Sequence, residues 1–258
     1  MRTPRLLVGL AVVAAAFFAL PLIGLVAEAP WGEAGSALLS PQVTRAAGLS
    51  LVAATAAVGL GLALGFPLAW VLARTRFPGR RWVRGLVLVP MVLPPVVAGV
   101  GLLTAFGRRG LLGGSLEAVG VTIPFTTAAV VLAATFVSAP FLVVTLEAGL
   151  AGLDRGLEEA AATLGASDGR ILATVVLPGL RPSLAAGIAL AWTRALGEFG
   201  ATITFAGNLR GRTQTLPLAV YELLQTDAGV AVALSVVLLV VSLLAVVAVR
   251  GGLFGEPS

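Results

Sequence analysis

Long apolar runs without a charged residue dominate this chain. Five of them have 22 residues or more, and about 20 residues suffice for a helix to cross the hydrocarbon core of a membrane. A charged side chain is costly at the centre of such a helix, so uncharged runs predict spans. The pattern therefore predicts an all-α polytopic membrane protein. The five runs are Leu6–Ala27, Ala46–Ala73, Gly85–Gly107, Ala118–Leu146 and Ala228–Val249.

A sixth apolar stretch, Pro182–Ala206, is interrupted by Arg194 and Glu198. Because these two residues are four apart, a helix would place them on one face, where they can pair. A lone ion in lipid is costly, so both should face the bundle interior, each other or an aqueous path. Two interpretations stay open, a structural ion pair or a guanidinium beside the path of an anion. With this stretch the prediction becomes six spans.

The arginines predict the orientation of these spans. Six spans place both termini on one face, which then holds 11 arginines against 5 on the other. The excess predicts that both termini are cytoplasmic. The richer face carries Arg2, Arg5, Arg74, Arg76, Arg80, Arg81, Arg84, Arg155, Arg170, Arg181 and Arg250, and the poorer face Arg45, Arg108, Arg109, Arg210 and Arg212.

The composition narrows the chemistry. Of 258 residues, 58% are hydrophobic and 11% charged, and all 17 basic residues are arginine, with no lysine, histidine or cysteine. Thiolate metal sites, histidine relays and the lysine of a P-loop are excluded. We expect no cofactor on this chain, and ATP hydrolysis would need another one. The net charge of +5 also fits nucleic-acid binding, but no basic stripe with interleaved aromatics accompanies it.

The first run has a second interpretation, a cleaved signal peptide, because Arg2 and Arg5 precede it. The apolar part of a signal peptide has about 7–15 residues, whereas Leu6–Ala27 has 22. We therefore expect a retained helix. Residues 1–41 then form a cytoplasmic tip, the first helix and an external loop, residues 42–250 the transmembrane core, and residues 251–258 a tail.

Two patterns concern the shape of the spans. Three prolines within Val89–Val97 predict a bent or interrupted helix, because proline removes a backbone donor. Gly61 and Gly65 form a pair of small residues at helical spacing, which lets another helix approach closely.

The longest hydrophilic interruption runs from about Glu147 to Arg181, and the loop within it between the fourth and fifth spans, residues 153–181, predicts two short helices. The first runs from about Asp154, its N-cap, to Leu164, with Gly165 as the stop. The second begins near Ser167 and Asp168 and ends before Pro178. The two predicted helices fit two interpretations, an amphipathic connector that rests on the lipid headgroups or a helix pair that enters a groove of another protein.

The loop resembles the EAA motif of the permeases of ABC importers. The residues that carry the resemblance are Glu159, Ala160, Ala161, Gly165, Val175, Leu177 and Pro178, with valine where isoleucine is usual. The resemblance implies a type I ABC importer permease fold whose loop, with Glu158 and Ala166 also in it, docks into a cytoplasmic ATPase. It further implies a second copy of the chain, two ATPase subunits that bind ATP-Mg, an external binding protein and surrounding lipid.

Further segments are similar to the molybdate branch of the molybdate/sulfate permeases. They are Arg194–Thr202, Ala206–Asn208, Thr213–Tyr221, Leu93–Pro95 and Phe106–Gly110, and with the loop the similarity covers roughly residues 42–249. It implies transport of molybdate or tungstate across a bacterial or archaeal cytoplasmic membrane, with the sulfate branch as the alternative. Arg194, Glu198, Thr202 and Asn208 are the candidate pathway residues.

Two other classes are weaker alternatives. A passive channel or scaffold would work without ATPase partners. An intramembrane enzyme would need convergent acids or a nucleophile–base pair within the bilayer, and only Arg194, Glu198 and Glu147 approach that.

Overall fold

Helices form nearly all of the computed structural model, which describes residues 4–253 and contains no strand within that range. Arg2, the side chain of Arg250 and residues 254–258 of the expected tail lie outside the described residues. The helices are α1 (Arg5–Ala27), α2 (Trp31–Leu38), α3 (Pro41–Arg74), α4 (Arg80–Val92), α5 (Pro95–Phe106), α6 (Gly113–Ala118), α7 (Thr127–Gly152), α8 (Arg155–Thr163), α9 (Asp168–Ile171), α10 (Leu177–Leu196), α11 (Gly200–Phe205), α12 (Leu216–Thr226) and α13 (Ala228–Leu253), with a π-helical turn, Leu172–Val176, between α9 and α10.

Among the described residues, five helices are long and apolar enough to cross a membrane: α1, α3, α7, the continuous helix Asp168–Leu196 and α13. Helices α4 and α5 meet the same criteria as a pair bent by 118°, which gives up to six spans. The break falls where Pro94 is the N-cap of α5 and Pro95 its first residue. Neither proline has an N–H to continue the α4 ladder. The interruption predicted for Val89–Val97 is confirmed.

Two predicted spans have wrong limits. The run Ala118–Leu146 contains a turn as well as a helix, because α7 begins only at Thr127, where the Thr126 side chain accepts the Ala129 N–H. Turn residues without charge cannot be distinguished from a span by charge counting. The stretch Pro182–Ala206 is wrong at both ends, since its helix begins at Asp168 and ends at Leu196.

Helices α3, α7 and α10 pack together at the centre. A Cβ on Gly61 would lie 2.9 Å from Leu142 Cδ1, and one on Gly65 would lie 3.0 Å from Val143 Cγ2. The small-residue pair therefore brings α3 against α7, as predicted. The contacts advance in the same direction along both helices, so α3 and α7 are parallel. Helix α10 is antiparallel to both, because Ser183 near its start lies beside Gly149 near the end of α7, and Leu196 at its end packs in one cluster with Ala54 and Ala134. We call the end of the bundle that carries residues 153–181 the loop end, and the end where α7 begins the far end.

Candidate functional site

The residues of the expected coupling loop form a separate helix, α8, at the loop end. Asp154 is its N-cap, and its Oδ1 accepts the Gly156 N–H at 2.9 Å. The helix ends at Thr163, and Gly165 follows with φ +84, a left-handed conformation in which a residue with a Cβ is strained. The Ala166 N–H then donates to the Ala161 carbonyl at 3.1 Å, which closes the helix end. The predicted helix, cap and stop are confirmed.

The motif residues divide between a solvent-facing and a core-facing side. Ala161 and Ala166 are half-buried and pack against the apolar core beneath α8. Glu159, Ala160, Gly165 and Leu177 are exposed, and so are Leu157 and Leu164. The outer face of this loop therefore combines apolar and acidic side chains, which is the character expected of a docking surface.

Glu158 turns inward, unlike Glu159. Its Oε1 lies 2.5 Å from Nη2 of Arg74, the last residue of α3, and the two side chains are 22% and 9% exposed. The Arg74 guanidinium carbon also lies 5.6 Å from the centre of the Trp70 ring, within range of a cation–π contact. The charged joint ties α8 to a membrane-spanning helix 84 residues away in the sequence.

The second loop helix does not end before Pro178, which corrects the sequence prediction. It passes through the π-helical turn Leu172–Val176 into α10, where Pro178 occupies one of the first two positions. Proline is tolerated in the first turn of a helix because its missing N–H is not needed there. The Leu177 N–H donates to the Leu172 carbonyl, a five-residue step that absorbs the change of register. The loop segment and the fifth span are thus one rod.

The expected ion pair within the fifth span is present. Arg194 Nη1 lies 2.6 Å from Glu198 Oε2, with the Arg194 side chain 31% exposed and that of Glu198 2% exposed. Glu198 stands between α10 and α11, and its Oε1 accepts the Ala201 N–H at 2.8 Å. The carboxylate therefore neutralises the guanidinium and caps α11 at the break in the span.

The other two candidate pathway residues lie apart from each other. Thr202 is buried in α11, four residues after Glu198. Asn208 lies further along the chain, and its Nδ2 donates to Glu222 Oε2 at 3.2 Å. Asn208 thus belongs to a separate polar network, not to the Arg194–Glu198 pair.

Sequence reasoning missed this network at the far end, which centres on Glu222 of α12. Glu222 pairs with Arg210, and its Oε2 accepts a 2.5 Å hydrogen bond from Gln214, whose Oε1 accepts one from Gln42 at 3.2 Å. The hydrogen bond from Arg210 is the main cause that lowers the pKa of Glu222, and bonds from Gln214 and Asn208 add to it against an opposing effect of burial. These residues come from separate segments, so no periodicity in the sequence connects them.

The arrangement of spans and loop agrees with the family to which the sequence is similar. A family model described as the binding-protein-dependent transport system inner membrane component matches residues 61–251. This chain belongs to that family, and its resemblance to ABC importer permeases is confirmed.

Among characterised relatives, the molybdenum transport system permease protein ModB of Mycobacterium tuberculosis is 48% identical over 233 residues, 90% of this chain and 88% of the relative. ModB of Escherichia coli is 44% identical over 182 residues, 70% of this chain and 80% of the relative. The sulfate transport system permease protein CysT of Escherichia coli is 39% identical over 229 residues, 87% of this chain and 83% of the relative.

Two solved structures have the same fold. A bacterial ABC transporter involved in the import of the acidic polysaccharide alginate matches with a TM-score of 0.71 and 19% identity, covering 98% of this chain and 96% of the other. The MetNI methionine ABC transporter, in inward-facing conformations, matches with a TM-score of 0.64 and 22% identity, covering 82% and 94%. The predicted ABC importer permease fold is confirmed.

Proposed function

We propose that this chain is the permease subunit of an ATP-driven importer that moves molybdate, and also tungstate, across a cytoplasmic membrane. The observation that carries the proposal is the 48% identity with a molybdenum permease over 90% of the chain. Both oxyanions are tetrahedral dianions, so they need hydrogen-bond donors and a modest positive potential. A deep cationic well would slow their release.

A sulfate permease is the second candidate, because the CysT relative is 39% identical over 87% of the chain. Isotope uptake by the reconstituted complex, with each oxyanion as a competitor, separates the two. We expect unlabelled tungstate to suppress molybdate uptake and sulfate to leave it nearly unchanged. Sulfate that competes as well as molybdate would assign the chain to the sulfate branch instead.

The partners proposed are a second copy of this chain, two cytoplasmic ATPase subunits that hold ATP-Mg, and an external binding protein. One loop of the kind formed by α8 serves one ATPase, so two copies are needed for two. The arginine-rich loop end is then cytoplasmic and the far end external, in a bacterial or archaeal membrane. Lipid covers α1, in which no residue is buried by the rest of the chain.

Transport in this proposal is driven through the loop. Closure of the two ATPases on ATP moves both α8 helices, and the continuous rod Asp168–Leu196 carries that movement to the break at Glu198. The exposed Glu159 faces the ATPase, whereas Glu158 holds α8 to α3. The chain itself is not an enzyme, and it binds no cofactor.

Two substitutions test the docking assignment. Gly165→Val introduces a side chain at φ +84, and Glu159→Trp places a bulky group on the exposed face. We expect both to uncouple ATP hydrolysis from uptake, with Gly169→Ala, at an exposed glycine with open space around it, as the matched control. Unchanged transport in both variants would contradict docking through α8. Uptake that needs no ATPase would favour a passive channel.

A further inference from the structure

A cleft of about 600 Å³ lies at the far end, where α5 ends and α7 begins. Two arginines from distant parts of the sequence converge on it, one directly after α5 and one just before α12. Threonine hydroxyls, a glycine, a proline and two apolar side chains, Leu103 and Phe125, complete the lining. The polar and turn-forming part of the lining consists of Gly107, Arg108, Thr122, Pro124, Thr126 and Arg212.

The two arginines have no acidic partner among the side chains that the structure describes, which leave out that of Glu33, since neither takes part in an ion pair there. Both are exposed, and no carboxylate lines the cleft. Arg194, by contrast, is neutralised by Glu198 at 2.6 Å. An anion therefore meets an uncompensated positive potential at the cleft, which the ion pair within the fifth span does not offer.

The backbone around the arginines is held in place. The Thr127 hydroxyl donates to the Arg212 carbonyl at 3.0 Å, which fixes that residue to the first turn of α7. On the other wall, the Gly107 N–H donates to the Leu103 carbonyl, and a Cβ on Gly113 would lie 2.4 Å from the Arg108 carbonyl oxygen. Only glycine fits so close to the Arg108 backbone, so the arginine is presented from a tight turn.

One wall of the cleft contains a strained residue. Phe125 has φ +59, and it is the only described residue other than glycine with a positive φ. Its N–H donates to the Phe205 carbonyl at 3.3 Å, and its ring lies over Gly207. Non-glycine residues keep such a conformation where the surrounding fold forces it, and they cluster at ligand sites.

We propose that this cleft is a low-affinity landing site for the tetrahedral oxyanion on its way into the permease, an inference that rests on the proposed function. Two guanidinium groups match the charge of a dianion and offer paired donors to its oxygens. The Thr122 hydroxyl adds a further donor. Exposure to water keeps the affinity low, which lets the ion move on.

The test uses the full permease–ATPase complex in nanodiscs without the binding protein, and tungstate as the probe in equilibrium dialysis. We expect Arg108→Gln and Arg212→Gln each to weaken tungstate binding about tenfold. Arg109→Gln removes the same charge from a position beside the cleft. We expect it to weaken tungstate binding about twofold, because only the screened long-range potential is lost. Arg108→Lys keeps the charge and should retain part of the binding, which separates loss of the site from loss of the fold.

Several results would contradict the proposal that the cleft binds the oxyanion. They are no tungstate binding by the unmodified complex, unchanged binding in both glutamine variants, or an equal loss in Arg109→Gln. A fall in affinity for the binding protein with unchanged tungstate binding would assign these arginines to protein docking instead. The uptake assay tests the proposed function independently of the cleft. A complex that imports no molybdate would contradict that function, whether or not the cleft binds tungstate.

Discussion

Two regions of the bundle, the loop end and the cleft at the far end, use the same residue, arginine, in opposite ways. At the loop end, Arg74 and Arg84 are each paired with a glutamate from another helix, Glu158 in α8 and Glu147 in α7. At the far end, Arg108 and Arg212 line a cleft, and neither has an acidic partner among the side chains described there. Arginine is the only basic residue in this sequence, so its surroundings alone create the difference.

The contrast separates a mechanical role from an electrostatic one. A paired guanidinium fixes two helices in one geometry, because breaking the pair leaves a charge without compensation. An unpaired guanidinium adds little rigidity but keeps its potential for an incoming anion. The paired arginines of the loop end therefore hold neighbouring helices together, whereas the two arginines of the cleft keep their potential for an anion.

The largest effect is expected at the pair inside the fifth span. Glu198→Ala leaves Arg194 without its counterion and α11 without its cap, so we expect a loss of about 3 kcal/mol in unfolding free energy. Glu198→Gln keeps an acceptor for the Ala201 N–H and should therefore lose less unfolding free energy than Glu198→Ala. Denaturant unfolding in micelles measures both. If Glu198→Ala is as stable as the unmodified chain, the pair is not what holds the break in this span together.

A smaller effect is expected at the joint between α3 and α8. A double-mutant cycle of Arg74→Gln and Glu158→Gln should give a coupling energy of about 1–2 kcal/mol, because the pair is largely buried. The same cycle with Arg155 and Glu158 is the matched control, since these two do not pair. Strict additivity in the first cycle would mean that Arg74 and Glu158 do not brace α8.

The Glu222 network should respond to pH. Its pKa lies below the ordinary value chiefly because of Arg210, so the ionised form stabilises the fold. The contribution is present above the unfolded value of about 4.3 and is lost as the pH falls through the lower folded value. We expect Glu222→Gln to lower the melting temperature at pH 7 and to have little effect at the acid limit. In a chain that also carries Arg210→Gln, the melting-temperature difference caused by Glu222→Gln at pH 7 should be smaller. A melting-temperature difference that does not depend on pH would contradict this explanation.

The smallest effect is expected for an unpaired arginine outside the cleft. Arg45 is exposed and has no acidic partner among the described side chains, which do not include that of Glu33. Arg45→Gln should therefore change the unfolding free energy by less than about 0.5 kcal/mol. A clear destabilisation would show that unpaired arginines at the far end also stabilise the fold. The difference between paired and unpaired arginines would then be smaller than described.

Local patterns predicted what depends on near neighbours in the sequence. Uncharged runs located the spans, Asp154 and Gly165 bounded α8, and the four-residue spacing paired Arg194 with Glu198. The prolines predicted the break between α4 and α5 but not its angle of 118°, which packing sets.

What the sequence could not predict depends on contacts between distant segments. Arg74 and Glu158 are 84 residues apart, and the cleft joins Arg108 to Arg212. The start of α7 was missed because an uncharged turn and an uncharged helix look alike when only charges are counted. The continuation of the loop helix past Pro178 was missed because a π-helical turn has no clear sequence signature.

One measurement tests the contrast most directly: ATP hydrolysed per oxyanion imported, together with the KM for import, in vesicles that carry Arg74→Gln or Arg108→Gln. We predict that Arg74→Gln raises the ATP consumed per ion and leaves the KM unchanged. Arg108→Gln should raise the KM and leave the ATP per ion unchanged. The same change in both variants would contradict the division of roles between the two ends.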